Sequence, residues 1–299
     1  MAQGAVSIDQ IFDPQFLEEL HGLRLVASRV AQGGRYAEQR SRDLGHGLEF
    51  RDFRPYAPGD DLRGVDWNIY QRLHRVFLRQ FEEFEDLPLY VLPDISESMF
   101  AEDPPRALAG LRTSLALAAI SLAQHDSVGL FPFHSKLDLV LKPTTGRTML
   151  MTVARALAEL VPGGQTDLAA AVRGLQALRL REGLVVIISD FFDPRGLEPM
   201  FAELSALRHR LLFVQLVRST DRDPGVTGEL RLVDCETQAI ENVSVTESVL
   251  RRYREAYGRF QDQLTNQAEQ RGAGLIQLDV EQPIVKQLAT LFERGVYRT

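Results

Sequence analysis

Residues 87–100 read LPLYVLPDISESMF. The first seven are apolar or aromatic, the composition of a strand covered on both faces. The chain then sets Asp94, Ser96 and Ser98 at alternate positions. A buried strand has no use of its own for a carboxylate and two hydroxyls at its end. The fold turns on what surrounds this strand, and the function on what those oxygens hold.

Downstream the pattern alternates. Leu108, Leu111, Leu115, Ala118 and Leu122 recur at spacings of three and four, which predicts a helix over 105–124 with one buried face. SVGLFPFH (127–134) and LDLVLK (137–142) predict two strands of a hairpin. Leu150, Val153, Leu157 and Leu160 mark another helix, ended by Pro162-Gly163-Gly164. A helix over 167–180 leads into GLVVIIS (183–189), a continuous apolar run that predicts a central parallel strand. A helix over 195–209 and the strand LLFVQLV (211–217) follow. Residues 218–246 break the rhythm with two short strands, before a long helix over 247–271, the strand GLIQLD (274–279) and a helix over 283–293.

This alternation predicts an α/β fold: a doubly wound, mostly parallel sheet with helices on both faces and one antiparallel edge hairpin at 127–142. Upstream, residues 17–31 predict an amphipathic helix, and 32–80 are rich in Gly, Arg and Asp. The expected division is residues 1–83, an N-terminal helix and small subdomain, and residues 84–299, the sheet domain with a hairpin excursion at about 218–246.

Composition narrows the class. The 299 residues are 44% hydrophobic and 25% charged, ordinary for a globular protein. A net charge of −7 argues against a general nucleic-acid coat. The eleven arginines of residues 1–80 are matched by eleven acidic residues, so binding RNA or DNA through them is a weak reading. The single cysteine, Cys235, excludes an intramolecular disulfide. With no run of about 18 apolar residues and no basic-then-apolar leader, the expectation is a cytoplasmic protein without a membrane span.

In open α/β sheets ligands sit beyond the carboxyl ends of the strands. Asp94, Ser96 and Ser98 follow one apolar strand, Asp190 follows another, and Thr166 opens a helix beside them. Two carboxylates and three hydroxyls, without His or Cys, suit Mg²⁺, with Mn²⁺ or Ca²⁺ as alternatives, and do not suit zinc. Each residue also has a structural reading: Ser96, Ser98 or Thr166 as a helix cap, Asp190 as a turn aspartate. Thr166 taken alone reads better as a cap. The five together favour a cation.

This pattern resembles von Willebrand factor A-like domains, whose metal-ion-dependent adhesion site uses DxSxS, a later Thr and a later Asp. The resemblance implies Asp94, Ser96, Ser98, Thr166 and Asp190 as the metal set. Upstream, GLEFRDFRPYAPGDDLRGVDWNIYQR (47–72) is similar to the signature of the bacterial DUF58 family, through Gly47-Leu48-Glu49-Phe50, Arg54, Tyr56, Pro58-Gly59-Asp60-Asp61, Arg63 and Asp66-Trp67. That resemblance covers nearly the whole chain. It implies a non-catalytic interaction module, an adaptor or co-chaperone acting with a MoxR-type AAA+ ATPase, in which the cation receives an acidic residue of a partner or client. Asp66 and Trp67 read as internal, with Trp67 an apolar anchor. Arg54, Asp60, Asp61 and Arg63 read equally as a self-satisfying charge cluster or a partner surface. The alternative is a phosphatase-like, metal-dependent hydrolase using Asp94. It lacks a second aspartate two residues on, where Ser96 stands, and the chain has neither a GxSxG elbow nor a P-loop.

Overall fold

The computed structural model describes residues 6–33, 49–58, 60–61, 65–82 and 87–293. It divides into two units: Met1–Val30 with Leu87–Thr299, and Ala31–Asp86. The chain opens with a one-turn helix α1 (Ile8–Ile11) and a long helix α2 (Pro14–Gly33). The described residues up to Val30 therefore belong with the sheet unit, not with a separate 1–83 segment. The reason is packing. Ile11, Phe16, Leu20 and Leu23 are buried in one face of the main core. Arg112 clamps them by donating to the Gln10 carbonyl (2.6 Å), pairing with Asp13 and lying over the Phe16 ring.

The smaller unit holds β1 (Glu49–Pro55), α3 (Trp67–Leu73) and β2 (Phe77–Glu82), with the two strands antiparallel. Asp66 caps α3, accepting from the backbone N–H groups of Asn68 (2.9 Å) and Ile69 (3.1 Å). The expected apolar anchor, Trp67, is 59% exposed. A seven-residue helix whose capping aspartate is buried turns its aromatic side outward.

The main unit continues through β3 (Leu89–Pro93), α4 (Arg106–Ala123), β4 (Val128–Leu130), β5 (Leu141–Thr144), α5 (Leu150–Ala158), α6 (Leu168–Ala177), β6 (Leu184–Ser189), α7 (Glu198–Leu204), β7 (Arg210–Val217), α8 (Ser219–Arg222), β8 (Gly228–Val233), β9 (Ile240–Val245), α9 (Glu247–Gln270), β10 (Gly274–Asp279) and α10 (Ile284–Glu293). The six-stranded sheet has the order β10-β7-β6-β3-β4-β5, parallel except for the edge strand β5. β8 and β9 pair antiparallel in a ribbon of their own, where the sequence rhythm breaks.

Alternation along the central strands divides the core. Val91, Val186 and Ile188 face α4, α5 and α10, while Tyr90, Leu92, Val185 and Ile187 face α6, α7 and α9. Each fully buried aliphatic side chain here contributes about 1.5–3 kcal/mol, so covering both faces is what makes the parallel sheet stable. The edge hairpin departs from expectation in position. Its second strand starts at Leu141, and Leu139 and Val140 are exposed. Phe133 instead bridges to Asp94 and to Leu137, drawing the intervening chain toward the carboxyl rim. Pro143, which donates no ladder bond, is tolerated because β5 is an edge.

Just before β6, Gly183 packs against the residue that precedes β3: an added Cβ would lie 2.3 Å from the Pro88 carbonyl oxygen. Gly183→Ala is expected to lose about 1–3 kcal/mol by overpacking, read as a lower urea midpoint. An unchanged midpoint would show that the two strands do not meet as described.

Candidate functional site

The sheet reverses its winding between β3 and β6: from β3 the chain proceeds to β4 on one side, and from β6 to β7 on the other. This is the switch point where a doubly wound sheet opens a crevice at its carboxyl end. Asp94 directly follows β3 and Asp190 directly follows β6, so neighbouring strands carry the two carboxylates to one rim, both buried.

Their partners are local. Asp94 accepts from the Ser96 backbone N–H (2.9 Å) through one oxygen and from Ser189 Oγ (2.7 Å) through the other. Asp190 accepts from the Phe192 N–H (3.0 Å), across a turn in which Phe191 takes φ 65°. A phenylalanine held at positive φ marks backbone strain beside the site. Ser96 and Ser98 hydroxyls stand 3.1 Å apart.

Thr166 reaches the rim from the α5–α6 loop. Gly164 (φ 58°) turns that loop, and the Gly163 N–H donates to the Ile95 carbonyl (2.9 Å) while the Glu97 N–H donates to the Gly164 carbonyl (3.1 Å). The Pro-Gly-Gly stop thus also docks Thr166 against the DISES loop. Arg195 fixes the other side, donating to the Thr166 carbonyl (2.9 Å) and pairing with Asp167 and Asp193.

The five expected residues come together, and the capping readings do not account for them. Asp167, not Thr166, caps α6 through the Ala170 N–H (2.6 Å). Ser96 precedes a short 3₁₀ turn without making a side-chain cap bond. The second candidate cluster resolves differently. Arg54 and Asp60 form a bidentate pair (2.6 and 2.7 Å), with Asp60 also accepting from the Ala57 N–H (2.8 Å). That pairing holds the Asp60 carboxyl at about 2 and matches the self-satisfying reading for these two residues. Asp61 is exposed, and Arg63 lies outside the described residues.

Three site residues escaped the sequence reading. Ser189 was only the last residue of an apolar strand. Arg106, at the start of α4, is buried and binds Asp221 (Nη1 to Oδ2 2.8 Å), Glu102 (2.9 Å) and the Leu216 carbonyl (3.3 Å), and stands 3.9 Å from Asp190. Burial opposes its charge, but the bonds to Asp221 and Glu102 outweigh burial and raise its pKa. Glu236, at the tip of the β8–β9 hairpin, accepts from Ser98 Oγ (2.8 Å) and Thr166 Oγ1 (3.2 Å). An arginine at the first position of a largely apolar helix was a signal for the second. Nothing in the sequence marked the third.

Among the described residues no three His, Cys, Asp or Glu side chains form a metal-ligand set. A cation here would have to rely on hydroxyls and water as much as on carboxylates, a donor set that would suit a hard ion such as Mg²⁺. The electrostatics are consistent with that fit. Burial pushes Asp94 up to about 6, against the hydrogen bonds from Ser189 and Ser96. Burial, and then the charge of Asp94, push Asp190 up to about 7, although Arg106 opposes this. Two buried carboxylates strained in this way gain from a positive charge between them.

Residues 52–263 match the family described as "Protein of unknown function DUF58". The chain belongs to that family. Uncharacterized proteins of Mycobacterium bovis and Mycobacterium tuberculosis are each 28% identical over 243 residues, 79% of this chain and 75% of theirs. Solved structures that match the chain include BatB from Bacteroides thetaiotaomicron (14% identity, TM-score 0.42, 71% of this chain and 100% of that one). An aerotolerance-related membrane protein from Bacteroides fragilis (15%, TM-score 0.42, 71% and 100%) and a membrane-spanning protein from Vibrio fischeri (15%, TM-score 0.26, 70% and 97%) are others. The chain is a DUF58 protein built on a mostly parallel, doubly wound sheet.

The expected cytoplasmic location is corrected by these neighbours, two of which are described as membrane proteins. An α/β domain of this composition folds alike whether tethered or free, so the lack of a spanning run did not report location. Among the described residues one helix, Arg106–Ala123, is long and apolar enough to cross a membrane, and it is largely buried in the core.

The raised carboxyls set a pH dependence. In metal-free protein the folded state binds protons more tightly than the unfolded chain between the ordinary carboxyl value of 3.8 and about 7. The stability these two groups contribute is therefore full below that window and falls as pH rises through it. Asp190→Asn removes one of the titrations. Urea unfolding in EDTA is expected to show a smaller loss of stability from about pH 5 to about pH 7.5 in this variant than in the parent. Equal losses would mean the carboxyl is not held up by its surroundings.

Proposed function

We propose that the rim formed by Asp94, Ser96, Ser98, Thr166 and Asp190 holds a divalent cation, Mg²⁺ first, and that the protein is a non-catalytic, metal-dependent adaptor. The observation that carries this reading is the convergence of three hydroxyls and two buried, proton-hungry carboxylates at the switch point of the sheet. Bound there, the ion would supply a positive charge able to take a further oxygen ligand. Asp94 and Asp190 would balance that charge, and Ser96, Ser98 and Thr166 would offer neutral hydroxyl ligands. An acidic side chain of a partner then adds a charge-assisted, directional contact.

The family resemblance supports a MoxR-type AAA+ ATPase, or a client it remodels, as the partner, in chaperone-like maturation. The hydrolase alternative has less support. Both oxygens of Asp94 are engaged by Ser96 and Ser189, and Ser96 is no general acid.

If Mg²⁺ binds with a dissociation constant of about 1 mM, then about 10 mM of the ion stabilises the fold by about 1.4 kcal/mol. That is a melting shift of about 3 °C. Asp94→Ala is expected to abolish it, and an equal shift in the variant would place the ion elsewhere. Binding of a purified MoxR-type ATPase is expected to be lost in EDTA and in Asp94→Ala or Ser96→Ala with native circular dichroism. Equal binding with and without metal would make the oxygen cluster structural.

A further inference from the structure

The contact made by Glu236 has no counterpart among the expected site residues. Ser98 Oγ donates to its Oε1 (2.8 Å), Thr166 Oγ1 donates to the same oxygen (3.2 Å), and the Thr166 N–H reaches Oε2 (3.4 Å). A carboxylate thus grips the hydroxyls of two residues that the preceding section assigns to the cation. It comes from 138 positions away in sequence from Ser98, on a segment that contributes no strand to the main sheet.

The segment is built to present that side chain. Asp234 Oδ1 accepts from the backbone N–H groups of Glu236 and Thr237 (both 2.8 Å). The Asp234 N–H donates to the Ala239 carbonyl (2.9 Å), and the Gln238 N–H to the Asp234 carbonyl (2.9 Å), with Gln238 at φ 59°. The tip is a closed, internally bonded turn. The strands behind it are open to solvent on both faces, with Leu232, Val233 and Ile240 about half exposed. A rigid tip on a ribbon this little covered can leave the rim without unfolding the core.

We propose that the β8–β9 hairpin is a tethered ligand of the site: Glu236 occupies the position that a partner's acidic side chain must take, and a partner binds by displacing it. This rests on the metal-dependent reading above and adds its regulation. Covalent attachment gives the tip an effective concentration on the order of millimolar. Free carboxylates and weakly matched acidic segments therefore compete poorly. A true partner must bring further contacts, so the hairpin acts as a specificity filter. The apparent affinity of any incoming carboxylate is reduced by the fraction of protein whose tip is released.

The test uses the full chain, Mn²⁺ as the ion and the peptide acetyl-Gly-Glu-Gly-amide as a minimal carboxylate probe, with calorimetry of each. Glu236→Ala and Glu236→Gln are compared with the parent and with Asp94→Ala. The turn is held by Asp234, so a change at 236 leaves the tip folded and alters only its bonds to Ser98 and Thr166. The expected result is Mn²⁺ binding in the parent and both Glu236 variants but not in Asp94→Ala, with probe affinity raised on the order of tenfold in both Glu236 variants. Deuterium exchange at the Thr166 amide is expected to quicken in those variants even without metal. Mn²⁺ binding with equal probe affinity in parent and variants would overturn the tethered ligand and leave the metal site standing. No Mn²⁺ binding in any form, or equal binding in Asp94→Ala, would overturn the metal site and this proposal with it.

Discussion

Two buried carboxylates at the ends of neighbouring central strands are the constraint on which the rim depends. Asp94 and Asp190 are brought together by the pairing of β3 with β6, and neither is free to turn to bulk water. Burying an ionised group costs several kcal/mol unless it is hydrogen-bonded or paired. The surroundings answer that cost in part. Ser189 and the Ser96 N–H serve Asp94, and the Phe192 N–H serves Asp190 with Arg106 beyond it. Arg106 is itself committed to Asp221 and Glu102, so its charge neutralises those groups before it reaches Asp190. The raised carboxyls show what is left over, a demand for positive charge at the rim.

Further contacts hold in place the loops that carry the hydroxyls. The Gly163-Gly164 turn binds the DISES loop from one side, and Arg195 ties the Thr166 carbonyl to the β6–α7 loop from the other. Three loops from three strand or helix ends are locked together by backbone bonds on one side and by the Arg195 side chain on the other. This is how sites built on loops gain the precision of a scaffold. The strained Phe191 belongs to the same arrangement, since its turn lets the Phe192 N–H reach back to Asp190.

Much of this was legible in the residues, for a physical reason. Strands covered on both faces must be continuously apolar, so LPLYVLP and GLVVIIS declared themselves, and polar side chains directly after them declared the rim. Legibility failed where the cause is tertiary. Helix α2 looked like the start of a separate segment because an amphipathic pattern does not say what it packs on; Arg112 and the main core decide that. The exposure of Trp67 and the late start of β5 are likewise set by which surfaces remain to be covered. Ser189 read only as the last residue of an apolar strand, and Arg106 only as the first residue of a helix. Glu236 was hidden by distance along the chain, in the excursion that interrupts the strand–helix rhythm. A break in rhythm locates an insertion but does not say where its tip will land.

The most direct measurement is anomalous diffraction from crystals grown with Mn²⁺. A peak is expected at the rim between Asp94 and Asp190, with Ser96 or Ser98 Oγ within about 2.0–2.6 Å of it. A fully occupied Mn²⁺ elsewhere in the molecule, with this rim closed on itself by hydrogen bonds alone, would contradict a divalent-cation site at the switch point of the sheet.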